Sequence, residues 1–148
     1  MAFCFRLQSV LDHRRHLEDL ALHGFAAKLG AQRECERQVA WLEEEHQRAR
    51  QELNQRGIKG MPAKEFILAN EYTTVLRLQS LREQARLPML AKDTDKARKH
   101  LLLATRNRKA LESLRKRHLA RYQREELRHE GRILDEAAVG SYVRRQET

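Results

Sequence analysis

The sequence predicts an all-α fold: a long antiparallel two-helix coiled-coil hairpin with a short helix near the turn. Three observations point there. Leu, Ala, Glu, Arg, Gln and Lys dominate, and these side chains lose little rotamer freedom in a helix, while aromatic residues make up only 5% of the chain. Apolar or small residues recur every three or four positions over long stretches. Two prolines and six glycines leave room for one sharp turn and one kink. With 34% charged residues and a mean hydropathy of -0.80, the 148 residues lack the apolar material for a thick globular core.

The first helix is expected over about residues 5–56. Its stripe reads Leu7, Val10, Leu17, Ala21, Gly24, Ala31, Cys35, Val39, Leu42, Ala49 and Leu53, with Arg14, Lys28 and His46 filling gaps. A helix of roughly 50 residues is about 75 Å long. The steps from Ala31 to Cys35 to Val39 are both four residues, a stutter that locally unwinds a left-handed supercoil. Leu22, Phe25 and Leu29 form a second row that widens the stripe beyond a two-helix seam.

The run Arg56-Gly57-Ile58-Lys59-Gly60-Met61-Pro62 is the strong breaker cluster, so the chain is expected to reverse over 57–62. A short helix then covers about 63–87 and packs through Phe66, Ala69, Tyr72, Leu76 and Leu81. Pro88 ends or kinks it, because a proline inside a helix removes a backbone bond and crowds the preceding turn. A long helix follows over about 89–143, with Leu90, Ala97, Leu101, Ala104, Leu111, His118 and Tyr122 at heptad spacing as the partner face for the first helix. The whole chain reads as a single coiled-coil domain. Several seam positions are Arg, Lys or His, which predicts a marginal hairpin whose outer ends order against a partner.

The net charge of +9 is unevenly distributed. Residues 1–60 carry 10 Lys+Arg against 9 Asp+Glu, and residues 61–148 carry 20 against 12. The basic run Arg106, Arg108, Lys109, Arg115, Lys116, Arg117, Arg121 and Arg124 spreads around much of a helix and has Tyr122 as its one aromatic neighbour. Docking to an acidic protein therefore suits it better than nucleic acid, whose recognition wants interleaved stacking or base-contacting side chains. No phosphate loop, nucleophile elbow or zincin signature occurs, and a two-helix hairpin offers no pocket in which catalytic groups converge. No catalytic residue, cofactor or small-molecule substrate is assigned, and the protein is expected not to be an enzyme. His13, His16 and His23 share a helical face, but the last lies about 10 Å along the axis from the second, so a solvated face and no metal is expected. Cys4 and Cys35 have neither zinc-site nor CxxC spacing and read as reduced thiols of a cytosolic protein. No apolar run is long enough to span a membrane.

Three local patterns combine along the chain: Phe5-Arg6-Leu7-Gln8-Ser9-Val10-Leu11 at the start, Arg108-Lys109-Ala110-Leu111-Glu112-Ser113-Leu114-Arg115 in the last helix, and Arg128-His129-Glu130-Gly131-Arg132-Ile133-Leu134-Asp135-Glu136-Ala137 near the end. In this order and at these distances they resemble the FliJ family of flagellar type III export stalk proteins, over almost the whole chain. The resemblance implies an antiparallel coiled coil similar to the central stalk of rotary ATP synthases. It implies three partners: the hexameric flagellar export ATPase, the cytoplasmic domain of the export gate membrane protein, and export chaperones. ATPase contacts would fall on Arg6, Arg128, Arg132, Asp135 and Glu136, and gate contacts on Gln38, Leu42, Tyr72 and Leu76. The family often has further aromatics near Glu45 and Ala49, which this chain lacks. The implied location is cytoplasmic, peripheral on the cytoplasmic face of the inner membrane. Competing readings are an injectisome stalk of the same fold, a basic nucleic-acid-binding coiled coil, and a structural dimer that would form a symmetric parallel assembly.

Overall fold

A computed structural model describes residues 3–146. Two helices make up the fold, α1 (Gln8–Lys59, 52 residues) and α2 (Ala63–Gln146, 84 residues), packed against each other as an all-α helical hairpin. The reversal falls in the breaker cluster. Gly60 takes φ of +90°, the left-handed conformation that ends a helix at little cost when no Cβ is present. The Phe66 N–H then donates to the Pro62 carbonyl at 3.1 Å, which opens α2, and Arg56 spans the turn to Glu65 at 2.9 Å.

The described chain divides into two compact units: residues 19–102, which carry the turn, and residues 3–18 with 103–146. In the unit that carries the turn, α1 buries or half-buries Ala21, Phe25, Gln32, Cys35, Val39, Leu42, His46, Ala49 and Leu53. Their register keeps alternating three- and four-residue steps once exposed Lys28 is counted. The seam therefore runs through half-buried Gln32, leaves Ala31 exposed, and has no stutter. Phe25 and Leu29 are half-buried, Leu22 is 49% exposed, and the Arg98 guanidinium lies 5.8 Å from the Phe25 ring centroid.

On α2 the matching row is Ala69, Thr73, Leu76, Ser80, Glu83, Leu87, Leu90, Thr94, Ala97 and Leu101, again in unbroken heptad register. This row passes Pro88 without a change of step. The expected helix break is therefore absent: no separate short helix precedes a long one, and Pro88 is an exposed residue inside α2. Its ring faces away from the seam. The one lost N–H bond, to the Gln84 carbonyl, is outweighed by seam contacts kept in register on both sides. Tyr72 and Leu81 are 50% and 51% exposed, so the packed side lies one position away from them, on Thr73 and Ser80; Phe66, seven residues before Thr73, keeps the seam register and is 45% exposed beside the turn. The buried hydroxyls are satisfied locally. Thr73 donates to the Asn70 carbonyl at 2.8 Å, Thr94 to the Leu90 carbonyl at 2.9 Å, and Ser80 accepts from Gln84 at 3.4 Å.

In the terminal unit the apolar core is small: Leu11 is fully buried, and Phe5 packs edge-on against His118 with ring centroids 5.7 Å apart. Beyond Tyr122, residues 123–145 are exposed apart from half-buried Gly131 and Gly140.

Candidate functional site

A polar layer replaces apolar packing in the terminal unit. Arg108 of α2 donates through Nε to Glu18 of α1 and through Nη1 to Glu112 at 2.6 Å, while Arg15 of α1 reaches Glu112 at 3.2 Å and Thr105 donates to Glu18 at 2.8 Å. The Arg108 hydrogen bond holds the Glu18 carboxyl below its ordinary range against the opposing cost of burial, and the Arg15 bond does the same for Glu112. Every side chain here is committed to another, so the layer fixes helix pairing and leaves no free acid or base for chemistry.

A second cluster lies farther along α2. Arg117, Arg121, Arg124 and Arg128 recur at three- or four-residue steps and line one surface groove of about 440 Å³ together with Ala120 and Glu125. The basic run thus does form a stripe, carried by a subset of its residues and by Arg128 just beyond them. Arg117 bonds Ser113 at 3.4 Å, and among the described residues none of the four arginines is in an ion pair. Four guanidinium groups along about 16 Å of helix make a face complementary to regularly spaced carboxylates.

The residues assigned to ATPase contact are distributed accordingly. Arg128 lies in the arginine groove; Arg132, Asp135 and Glu136 are exposed farther along the same stretch; Arg6 is exposed just before α1. The gate residues separate into two kinds. Leu42 and Leu76 are buried in the seam, 3% and 4% exposed, and have no free surface while the hairpin is closed. Gln38 is exposed beside Trp41, Arg37 and Glu34, and Tyr72 borders a groove with Glu45, Ala49 and Met61. Sequence reasoning passed over Trp41, which is 58% exposed on the outer side of α1; a lone Trp two positions past a seam residue was the available signal.

Cys35 is buried and donates to the Glu83 carbonyl at 3.4 Å, while Cys4 is exposed. Burial, the Glu83 hydrogen bond and the Glu83 charge push the Cys35 thiol up, which makes it a poor nucleophile. Among the described residues no group of three His, Cys, Asp or Glu is placed to hold a metal, and no helix is long and apolar enough to cross a membrane.

Among the described residues the fold is a helical hairpin, and the grooves at Arg117–Arg128 and beside Trp41 run along single helix faces. The chain belongs to the FliJ family: the family model described as flagellar FliJ protein matches residues 3–147, nearly the whole length. That places it among proteins of flagellar export and protein transport. Neither the curated proteins nor the solved structures give a match to it.

Proposed function

We propose that the protein is a non-catalytic stalk of the flagellar type III export apparatus that binds and stimulates the hexameric export ATPase. The observation that carries this reading is the arginine face of Arg117, Arg121, Arg124 and Arg128, none of them in an ion pair among the described residues, which leads onto an exposed stretch of α2 containing Arg132, Asp135 and Glu136. A single helix face bearing four guanidinium groups against the one carboxylate of Glu125 is completed by an acidic concave surface, and charge complementarity of this kind speeds and orients docking. Family membership supports the setting.

In this reading the terminal end enters the ATPase ring and acts as the central stalk of a rotary ATP synthase does in its own ring. The export gate is contacted through Gln38 and Tyr72, with Leu42 and Leu76 holding the two helices beneath them. Chaperone escort, and a cytoplasmic location peripheral to the inner membrane, follow from the same assignment.

Binding of the purified export ATPase to the wild-type chain and to an Arg121→Glu, Arg124→Glu variant, measured across a salt series, tests the docking face. The expected result is tight binding that weakens with salt and drops at least about tenfold in the variant. Equal binding by the variant, or salt-sensitive binding of single-stranded nucleic acid that the variant loses while the ATPase is ignored, overturns the assignment.

A further inference from the structure

Two grooves flank the seam of the turn-bearing unit, and they differ in charge. One, about 240 Å³, holds Tyr72 with Glu45 and Glu52, and its arginines are spent: Arg48 pairs with Glu44 and Glu45, and Arg56 with Glu65 at 2.9 Å. The other, about 370 Å³, lies between His46, Arg50 and Asn54 of α1 and Phe66, Asn70 and Arg77 of α2, and no acid lines it. Neither Arg50 nor Arg77 is in an ion pair among the described residues. On this side of the seam the next acid is Glu43, and its carboxylate accepts from the Gln84 amide.

The lining suits a peptide. Each helix leans its side chains toward its own N terminus, so Arg50 leans away from the turn and Arg77 toward it, which brings both guanidinium groups into one stretch of the groove. The Asn54 and Asn70 side-chain amides make no hydrogen bond among the described residues, and each offers a donor and an acceptor to a peptide backbone. Toward the turn, Phe66 is 45% exposed beside buried Leu53, an apolar patch at the end of a basic groove. From His46 to Asn54 the groove follows α1 for about 12 Å, the length of about four extended residues. Single-stranded nucleic acid wants successive stacking platforms, whereas here two arginines and two amides separate Phe66 at one end from His46 at the other. A second copy of the chain supplies no extended acidic segment, because every Asp and Glu among the described residues lies within α1 or α2.

We propose that the groove between Arg50 and Arg77 binds an extended acidic peptide segment of a partner protein, with two adjacent carboxylates and, on the turn side, one apolar side chain. Successive side chains of an extended chain point to opposite sides, so adjacent acids reach Arg50 on one helix and Arg77 on the other, while the apolar residue settles against Phe66 and Leu53. Asn54 and Asn70 take the peptide's backbone groups. This groove is separate from the arginine face of the terminal unit and from the groove at Tyr72, and the inference stands whether or not either of those binds its proposed partner.

The test titrates the full chain with a capped peptide of about six residues that carries two adjacent glutamates and a leucine, and with a twin in which glutamines replace the glutamates. The glutamate form should bind at least about tenfold more tightly than its twin and more weakly as salt rises, with the largest amide shifts at residues 46–54 and 66–77. An Arg50→Ala, Arg77→Ala variant should lower that affinity at least about tenfold, whereas Arg48→Ala, across the seam, should leave it unchanged. These positions are exposed, so circular dichroism should show unchanged helicity. Five results overturn the proposal: no saturable binding at millimolar peptide, equal affinity for the two peptides, undiminished binding by the double variant, shifts confined to residues 117–128, or binding of single-stranded nucleic acid or anionic phosphatidylglycerol vesicles in place of the peptide.

Discussion

Arg108 of α2 grips Glu18 of α1 where the two helices would otherwise meet through apolar side chains, and it reaches Glu112 with the same guanidinium. A charged residue at a seam position exchanges packing energy for specificity of register, because a slip of either helix by one heptad breaks the cross-helix pairs Arg108–Glu18 and Arg15–Glu112 and leaves half-buried Glu18 without its arginine, while Arg108–Glu112 within α2 survives.

That layer gives the terminal unit an acid limit. Arg108 holds Glu18 below its ordinary value of 4.5, and Arg15 does the same for Glu112. A carboxyl whose folded pKa is depressed contributes stability that is complete above its unfolded value and is lost as pH falls through the folded one. Thermal melts followed by circular dichroism should therefore hold steady near neutrality and fall in midpoint below about pH 4.5, with a shallower fall in Glu18→Gln. An identical slope in the variant contradicts the pairing.

Pro88 is an exposed helix-interior proline tolerated for the sake of an uninterrupted seam. Pro88→Ala restores the N–H donor to the Gln84 carbonyl and should raise stability by about 1–3 kcal/mol, read as a higher urea midpoint with an unchanged slope. A lower midpoint means that the proline shapes the seam instead of being carried by it.

The two thiols should separate cleanly. Native protein at mildly alkaline pH should release about one equivalent of chromophore from a disulfide reagent quickly, from exposed Cys4, and the second only as the turn-bearing unit opens or in denaturant. Burial and the Glu83 hydrogen bond raise the Cys35 thiol and keep the thiolate scarce. Equal rates for both contradict a closed seam at Cys35.

Gly60 is the residue on which the reversal depends, because its φ of +90° is open to few side chains. Gly60→Ala meets no neighbouring atom, so its whole cost is backbone strain, about 1 kcal/mol, read as a lowered denaturation midpoint. A loss well beyond that would mean that the turn also guides pairing of the two helices.

The hairpin and its turn were legible because a breaker cluster interrupts an otherwise helical sequence. The register was harder to read for one reason: Thr73, Ser80, Thr94 and Gln32 occupy seam positions that a search for apolar residues skips. Skipping Gln32 created the apparent stutter at Ala31, and skipping Thr73 moved the packed face onto Tyr72. Thr73 and Thr94 survive burial by donating to carbonyls three or four residues back, and Ser80 accepts from Gln84, local solutions with no mark in hydropathy. Pro88 read as a break because propensity is local and the seam is not. Of the candidate sites, the arginine face was hidden by counting the whole basic run, since Arg108 turns inward to Glu18 while Arg117, Arg121, Arg124 and Arg128 stay on one side.

The central claim is that this hairpin docks on and activates the export ATPase through its terminal end. The most direct measurement is the rate of ATP hydrolysis by the purified flagellar export ATPase, titrated with the wild-type chain, with the Arg121→Glu, Arg124→Glu variant, and with Leu78→Glu as a control outside that end. Saturable stimulation by wild type and by Leu78→Glu, with at least about tenfold more of the arginine variant needed for the same effect, is the predicted result. Absence of stimulation at any ratio, or equal stimulation by the arginine variant, would contradict it.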